Sequence, residues 1–137
     1  MSGYCKQNVE SIANGLIYII ESKELQNKYP DKEVILDPPE NPTEIICELE
    51  PTSDHTERSI ALAIVGISKR HYHKKSTEIY EAVKGILTVY KDGKKYILKE
   101  GEKLTIEPNV VHYAEGNEAW FLTYSEPGWT FEDHILV

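Results

Sequence analysis

The residues of this chain best suited to chemistry lie between Gly66 and His112. The segment His71-Tyr72-His73-Lys74-Lys75-Ser76-Thr77-Glu78 carries two imidazoles and a carboxylate, and His112 follows a Pro108-Asn109 turn. Side chains alternate along a strand, so His71 and His73 point to the same side of a sheet. Two imidazoles, a carboxylate and a later third imidazole are the donor types that hold a first-row divalent metal. Without a ligand, such a pair would set two potential cations side by side at low pH, which is costly. The stretch reads as a metal site. His55 and His134 read as solvated or hydrogen-bonded side chains.

The elements that must position these residues are short strands. Thr43–Glu50 alternates as a half-buried strand, and Ser59–Val65 is apolar on both faces. Ser68–His73 carries the histidine pair, Glu78–Val83 the carboxylate, and Lys84-Gly85 turns into Ile86–Tyr90. Asp92-Gly93 is a type I′ hairpin signal leading to Tyr96–Leu98. Leu104 and Ile106 alternate up to the Pro108-Asn109 turn, and Val110–Ala114 carries His112. Glu115-Gly116-Asn117 is expected to turn into a further strand, Trp120–Ser125. About eight short strands separated by glycine turns indicate a sandwich or a barrel rather than alternating strands and helices.

Residues 1–42 read as an N-terminal arm outside the barrel domain of residues 43–137. A helix is expected over 8–14, a strand over 15–21, and a short helix from Ser22 to Tyr29 stopped by Pro30. Leu36–Pro42, with three prolines, is an extended connector.

The spacing Gly66-(x4)-His71-x-His73-(x4)-Glu78-(x6)-Gly85 resembles the first motif of the cupins, and Gly101-(x5)-Glu107-Pro108-Asn109-(x2)-His112 resembles the second. The likeness covers residues 66 to about 117. It implies an all-β, single-domain jelly-roll barrel with one or two short helices in its arm, and His71, His73, Glu78 and His112 as ligands of one metal in the barrel mouth. The departures fall in loops. Asn109 stands at a usual glycine, and asparagine also tolerates left-handed φ. Glu107 stands at a usual proline, Gly116 at a usual asparagine, and one residue is missing between Gly66 and His71.

Strand parity sketches the pocket. Tyr80 shares the side of Glu78 and should face the cavity, as a candidate catalytic or substrate-binding residue. Trp120, Leu122 and Tyr124 form one face of their strand, favoured as inward; Phe121, Thr123 and Ser125 form the other. Tyr80, Trp120 and Tyr124 also fit a plain barrel core. Arg70, Lys69, Lys74 and Lys75 form a basic patch with two readings: an attractor for an anionic substrate, which makes Arg70 a binding candidate, or a solvated strand end. The outward parity of Arg70 and Lys74 favours the second.

Lys+Arg of 15 against Asp+Glu of 23 gives a formal charge of −8, which argues against nucleic acid and anionic membrane as partners. Cys5 and Cys47 form no metal-binding pair and read as free thiols. With no secretory signal pattern at the N-terminus, a cytoplasmic protein is expected. A small-molecule substrate and a homodimer built through residues 8–29 or Thr43–Glu50 complete the expectation.

Three histidines and one glutamate leave open positions on iron, manganese, zinc or nickel, which the sequence does not distinguish. The ligating imidazoles must be neutral, so metal binding should weaken as pH falls. Three functions follow in order: a metal-dependent isomerase, epimerase or lyase of a sugar or keto acid; an Fe(II) dioxygenase; a metabolite sensor without turnover.

Overall fold

A computed structural model describes residues 17–137. A helix, α1, spans 17–28 and is followed by ten strands. These are β1 (Val34–Asp37), β2 (Glu44–Glu50), β3 (Ser59–Ile67), β4 (His71–Tyr72), β5 (Thr77–Lys84), β6 (Leu87–Lys91), β7 (Lys94–Leu98), β8 (Lys103–Ile106), β9 (His112–Glu126) and β10 (Ile135–Leu136). A 3₁₀ turn, Phe131–Asp133, precedes β10.

Pairing is antiparallel throughout and centres on β9. Its first residues, His112 to Glu115, pair with β6 on one edge, and His112 also pairs with His71 of β4. Its later residues, Ala119 to Glu126, lie between β3 and β5. One strand thus belongs to both halves of a curled half-barrel: β1-β2-β3-β9-β5-β8 on one side and β7-β6-β9-β4-β10 on the other.

The change of partners falls at Gly116 and Glu118. Glu118 has φ +55, the left-handed region, and a Cβ at Gly116 would lie 2.6 Å from the Ala119 Cβ. The expected turn at Glu115–Asn117 is therefore a bend within one continuous strand. Asp92-Gly93 does close a hairpin, with both φ positive, and Asn109 takes φ +67 in place of a glycine.

The space between the two halves is filled from both. Ala63 and Val65 of β3, Tyr80 and Ala82 of β5, Leu87 and Val89 of β6, and Ala119 and Phe121 of β9 pack into one cluster. A second cluster lies on the outer face, where Tyr18 and Leu25 of α1 cover Ile45, Cys47, Leu62 and Ile64.

That packing corrects the reading of the N-terminal arm. The strand expected over 15–21 is helical from residue 17, continuous with the helix expected at Ser22. Tyr18 and Leu25, seven residues apart, share one face of a helix, and burying each is worth about 1.5–3 kcal/mol, enough to override β propensity. The helix expected over 8–14 lies outside the described residues. Val34–Asp37 adds an edge strand that the proline-rich connector had concealed.

Candidate metal centre

Among the described residues, His71, His73, Glu78 and His112 bring one ligand atom each within 4.8 Å of one another, and all four are buried. They converge from both halves of the fold. His71 sits on β4 opposite His112 of β9, while Glu78 on β5 lies opposite Ser125 of β9 and Ile106 of β8. The His73 carbonyl accepts from Asn109 N at 2.6 Å, so the histidine loop and the turn before His112 are tied.

Each imidazole is held through Nδ1. His71 Nδ1 lies 2.7 Å from the Lys69 carbonyl, His112 Nδ1 2.9 Å from the Val110 carbonyl, and His73 Nδ1 2.8 Å from the Asp133 carbonyl. A carbonyl only accepts, so Nδ1 carries the proton in each and the Nε2 lone pair is left for the centre. Nε2 of His73 and of His112 lie 3.0 and 3.1 Å from the same Glu78 oxygen, Oε1. His73 Nε2 is nonetheless buried without an aligned hydrogen bond. The other carboxylate oxygen, Oε2, accepts from the Ser125 hydroxyl at 3.2 Å.

Electrostatics sort these groups. Burial alone would raise the Glu78 carboxyl, but the His112 and His73 imidazoles outweigh it and hold the group well below the usual carboxylate range. Burial and the neighbouring His112 lower His71 to about 3. Burial also opposes charge on His73, yet the Glu78 carboxylate beside it wins and its value is raised. The centre thus presents a charged carboxylate and a neutral His71 at ordinary pH. Three tautomerically fixed imidazoles, one with an orphaned ring nitrogen, and one ionised carboxylate fit a divalent transition metal. The cluster can hold such an ion.

The remaining candidates divide. Tyr80 is buried on the inward side, its ring 5.9 Å from His112 and 4.9 Å from Phe121. Burial and the charges of Glu78 and Glu44 push its phenol far up, so it stays protonated. Trp120 and Tyr124 do not line the cavity. Trp120 packs in the outer cluster under Lys84, and the Tyr124 hydroxyl donates to Glu81 at 2.9 Å. The inward residues of that strand are Phe121 and Ser125, the face opposite to the one favoured from parity. Arg70 is exposed, as are Lys69, Lys74 and Lys75.

Three residues at the site carried no sequence signal. Asp133 gives its carbonyl to His73, and its carboxylate accepts from Lys74 N (2.8 Å), Lys75 N (3.2 Å) and Ser76 N (3.1 Å). His134 stacks on His71 at 4.2 Å, its Nδ1 accepting from Trp129 Nε1 at 3.4 Å. Glu44 pairs with Val65 across β2 and β3, and so shares its inward side. Burial, then Asp37 and Glu78, push the Glu44 carboxyl up to about 8, against the opposing pull of Lys69. His55, by contrast, lies among Glu50 and Glu57, away from the centre.

Residues 61–119 match the family model of the cupin domain. The chain carries a cupin domain. Similar solved structures share the cupin fold at low identity. A Streptomyces PAC13 variant with uridine aligns at TM-score 0.68 and 14% identity, covering 79% of this cupin and 86% of that chain; Pac13 is a nucleoside dehydratase. KdgF from Halomonas sp. aligns at TM-score 0.60 and 15% identity, covering 69% and 87%. An oxalate decarboxylase variant from Bacillus subtilis aligns at TM-score 0.65 and 17% identity, over 79% of this cupin but 31% of that chain. A comparison with curated protein sequences finds no match.

Proposed function

We propose that this cupin is a metal-dependent enzyme of the isomerase, epimerase or lyase type, acting on a small polar carbonyl compound such as a sugar or keto acid. One observation carries the reading: an inward carboxyl, Glu44, stands uncommitted to any metal-ligand role in the same interior as the four ligating groups. Binding residues alone would hold a metabolite; a proton-holding group beside a metal site is what carbonyl chemistry also needs. The dehydratase activity of Pac13 and the decarboxylase among the similar folds support the lyase end of this range.

His71, His73, Glu78 and His112 would hold the ion. When bound, a divalent metal polarises a carbonyl or hydroxyl oxygen and stabilises the charge that develops on it. The chain's own groups supply the rest. The Glu44 carboxyl, with a value near 8, exchanges its proton close to neutral pH and serves as the acid or base at its Oε atoms. Tyr80 Oη keeps its proton and can donate a hydrogen bond to a substrate oxygen. Phe121 and Ile106, both fully buried, keep bulk water from that end of the interior. We further propose that the protein works in the cytoplasm as a homodimer.

The test begins with elemental analysis after anaerobic reconstitution with Zn(II), Mn(II), Ni(II) or Fe(II). One ion per chain is expected, lost in His71→Ala and His112→Ala; unchanged metal content in both variants would refute the site. Incubation with a panel of sugars and keto acids in deuterated water should then give solvent deuterium at carbon. Glu44→Gln should slow that incorporation by about 10²–10⁴. Oxygen uptake with Fe(II) and no deuterium incorporation would replace this reading with a dioxygenase.

A further inference from the structure

The three imidazoles are not held in the same way. His71 and His112 each lean on a carbonyl two residues upstream, Lys69 and Val110, just before their own strands. His73 depends on Asp133, sixty residues downstream. That carbonyl is in place because its own segment is pinned from several sides. The Asp133 carboxylate collects the three successive amides of Lys74, Lys75 and Ser76. Thr130 caps the 3₁₀ turn through Asp133 N. Ile135 and Leu136 pair with Tyr72 and His71, and Val137 N donates to the Arg70 carbonyl at 3.1 Å. The same amides that grip Asp133 belong to the loop joining His73 to Glu78, so one docking event sets the loop carrying two ligands.

We infer that the strap formed by residues 129–137 is a positioning element for the metal, with Asp133 as its central residue: strap docking and metal binding are thermodynamically coupled through His73 Nδ1 and the Lys74–Ser76 amides. The inference rests on the four-residue metal reading above. Outer partners of metal-bound histidine affect affinity by about 10–100-fold. Coupling is reciprocal, so the metal must strengthen strap docking by the same factor.

Two measurements test it. Zinc affinity, by competition with a chromophoric chelator, should fall about 10–100-fold in Asp133→Ala, with partial recovery in Asp133→Asn, which keeps one acceptor oxygen. The Co(II)-loaded variant should show a changed visible absorption band, since a reoriented His73 alters the ligand field. Independently, in the wild-type protein, zinc should slow amide exchange at Lys74, Lys75, Ser76 and Val137 by a similar factor; this needs no variant and decides the matter if Asp133→Ala fails to fold. Affinity within about twofold of wild type with an unchanged Co(II) spectrum, or exchange at those amides indifferent to zinc, would overturn the coupling while leaving the metal site intact. A wild-type protein that binds neither ion would overturn the metal reading and this inference with it.

Discussion

Lowering the pH from 7 to 5.5 at a fixed zinc concentration separates the protons that compete with the metal from those that do not. Suppose free zinc is held at about 100 times its dissociation constant at pH 7. The bound state then gains ~2.7 kcal/mol. For 137 residues the unfolding entropy near 60 °C is about 0.29 kcal/mol/K, so the melting point rises by about 9 °C. His71, held near 3, is already neutral, and Glu78, held low, is already ionised; neither binds a proton in this window. His73 is raised by Glu78 and does compete. The loss of affinity should therefore include one proton from His73 and none from His71 or Glu78, short of the three that full protonation of three imidazoles would give. For one proton, affinity falls about 30-fold over 1.5 pH units and the gain shrinks to ~0.8 kcal/mol, or about 3 °C. Differential scanning fluorimetry with and without zinc across this range gives the melting shift, and the competition assay gives the slope. A slope of three protons, or one of zero, would refute the charge assignment.

Phe121→Ala should destabilise the metal-free protein by about 3–5 kcal/mol in urea unfolding, since its fully buried ring fills the space beside Tyr80. Gly116→Ala should cost about 1–3 kcal/mol by the same assay, because the added Cβ would meet the Ala119 Cβ at 2.6 Å. Glu44 has a folded value of about 8 against 4.5 for an ordinary glutamate, so its contribution is fully present below about 4.5 and is lost as pH rises through 8. Urea midpoints at pH 5, 7 and 9 should accordingly fall more steeply with pH for wild type than for Glu44→Gln; parallel curves would place that carboxyl in solvent.

The metal cluster was legible because three of its members lie within eight residues and the fourth follows a recognisable turn. Alternation needs only a short uninterrupted strand; His71, Glu78 and Tyr80 lie on such pieces, and His73 directly follows one. It failed across β9. His112 and Ala114 face inward on even numbers, while Ala119, Phe121 and Ser125 face inward on odd ones. The left-handed Glu118 between them shifts the phase by one, and a one-residue slip exchanges the two faces of a strand. Trp120 and Tyr124 therefore lie on the outer side, opposite to the face favoured from the sequence. Residues 17–20 failed for another reason: their β-branched side chains favour a strand locally, and only the sheet face under Tyr18 and Leu25 makes them helical. Asp133 and His134 reach the site through contacts spanning about sixty residues, for which no local pattern exists.

The position of β9 also bears on how the chain comes together. Four strands made earlier, β3, β4, β5 and β6, all wait on it for a hydrogen-bonding edge. During synthesis those edges emerge with no partner until residues 112–126 have followed. Their apolar faces stay exposed for the same interval, when nascent chains are most prone to pair with one another. Closure is then a late, collective event that joins segments distant in sequence, the kind of topology that folds in milliseconds to seconds rather than microseconds. Both the candidate ligands and the half-barrel wait on a single strand, so the cluster that could hold a metal comes together only when residues 112–126 join the sheet.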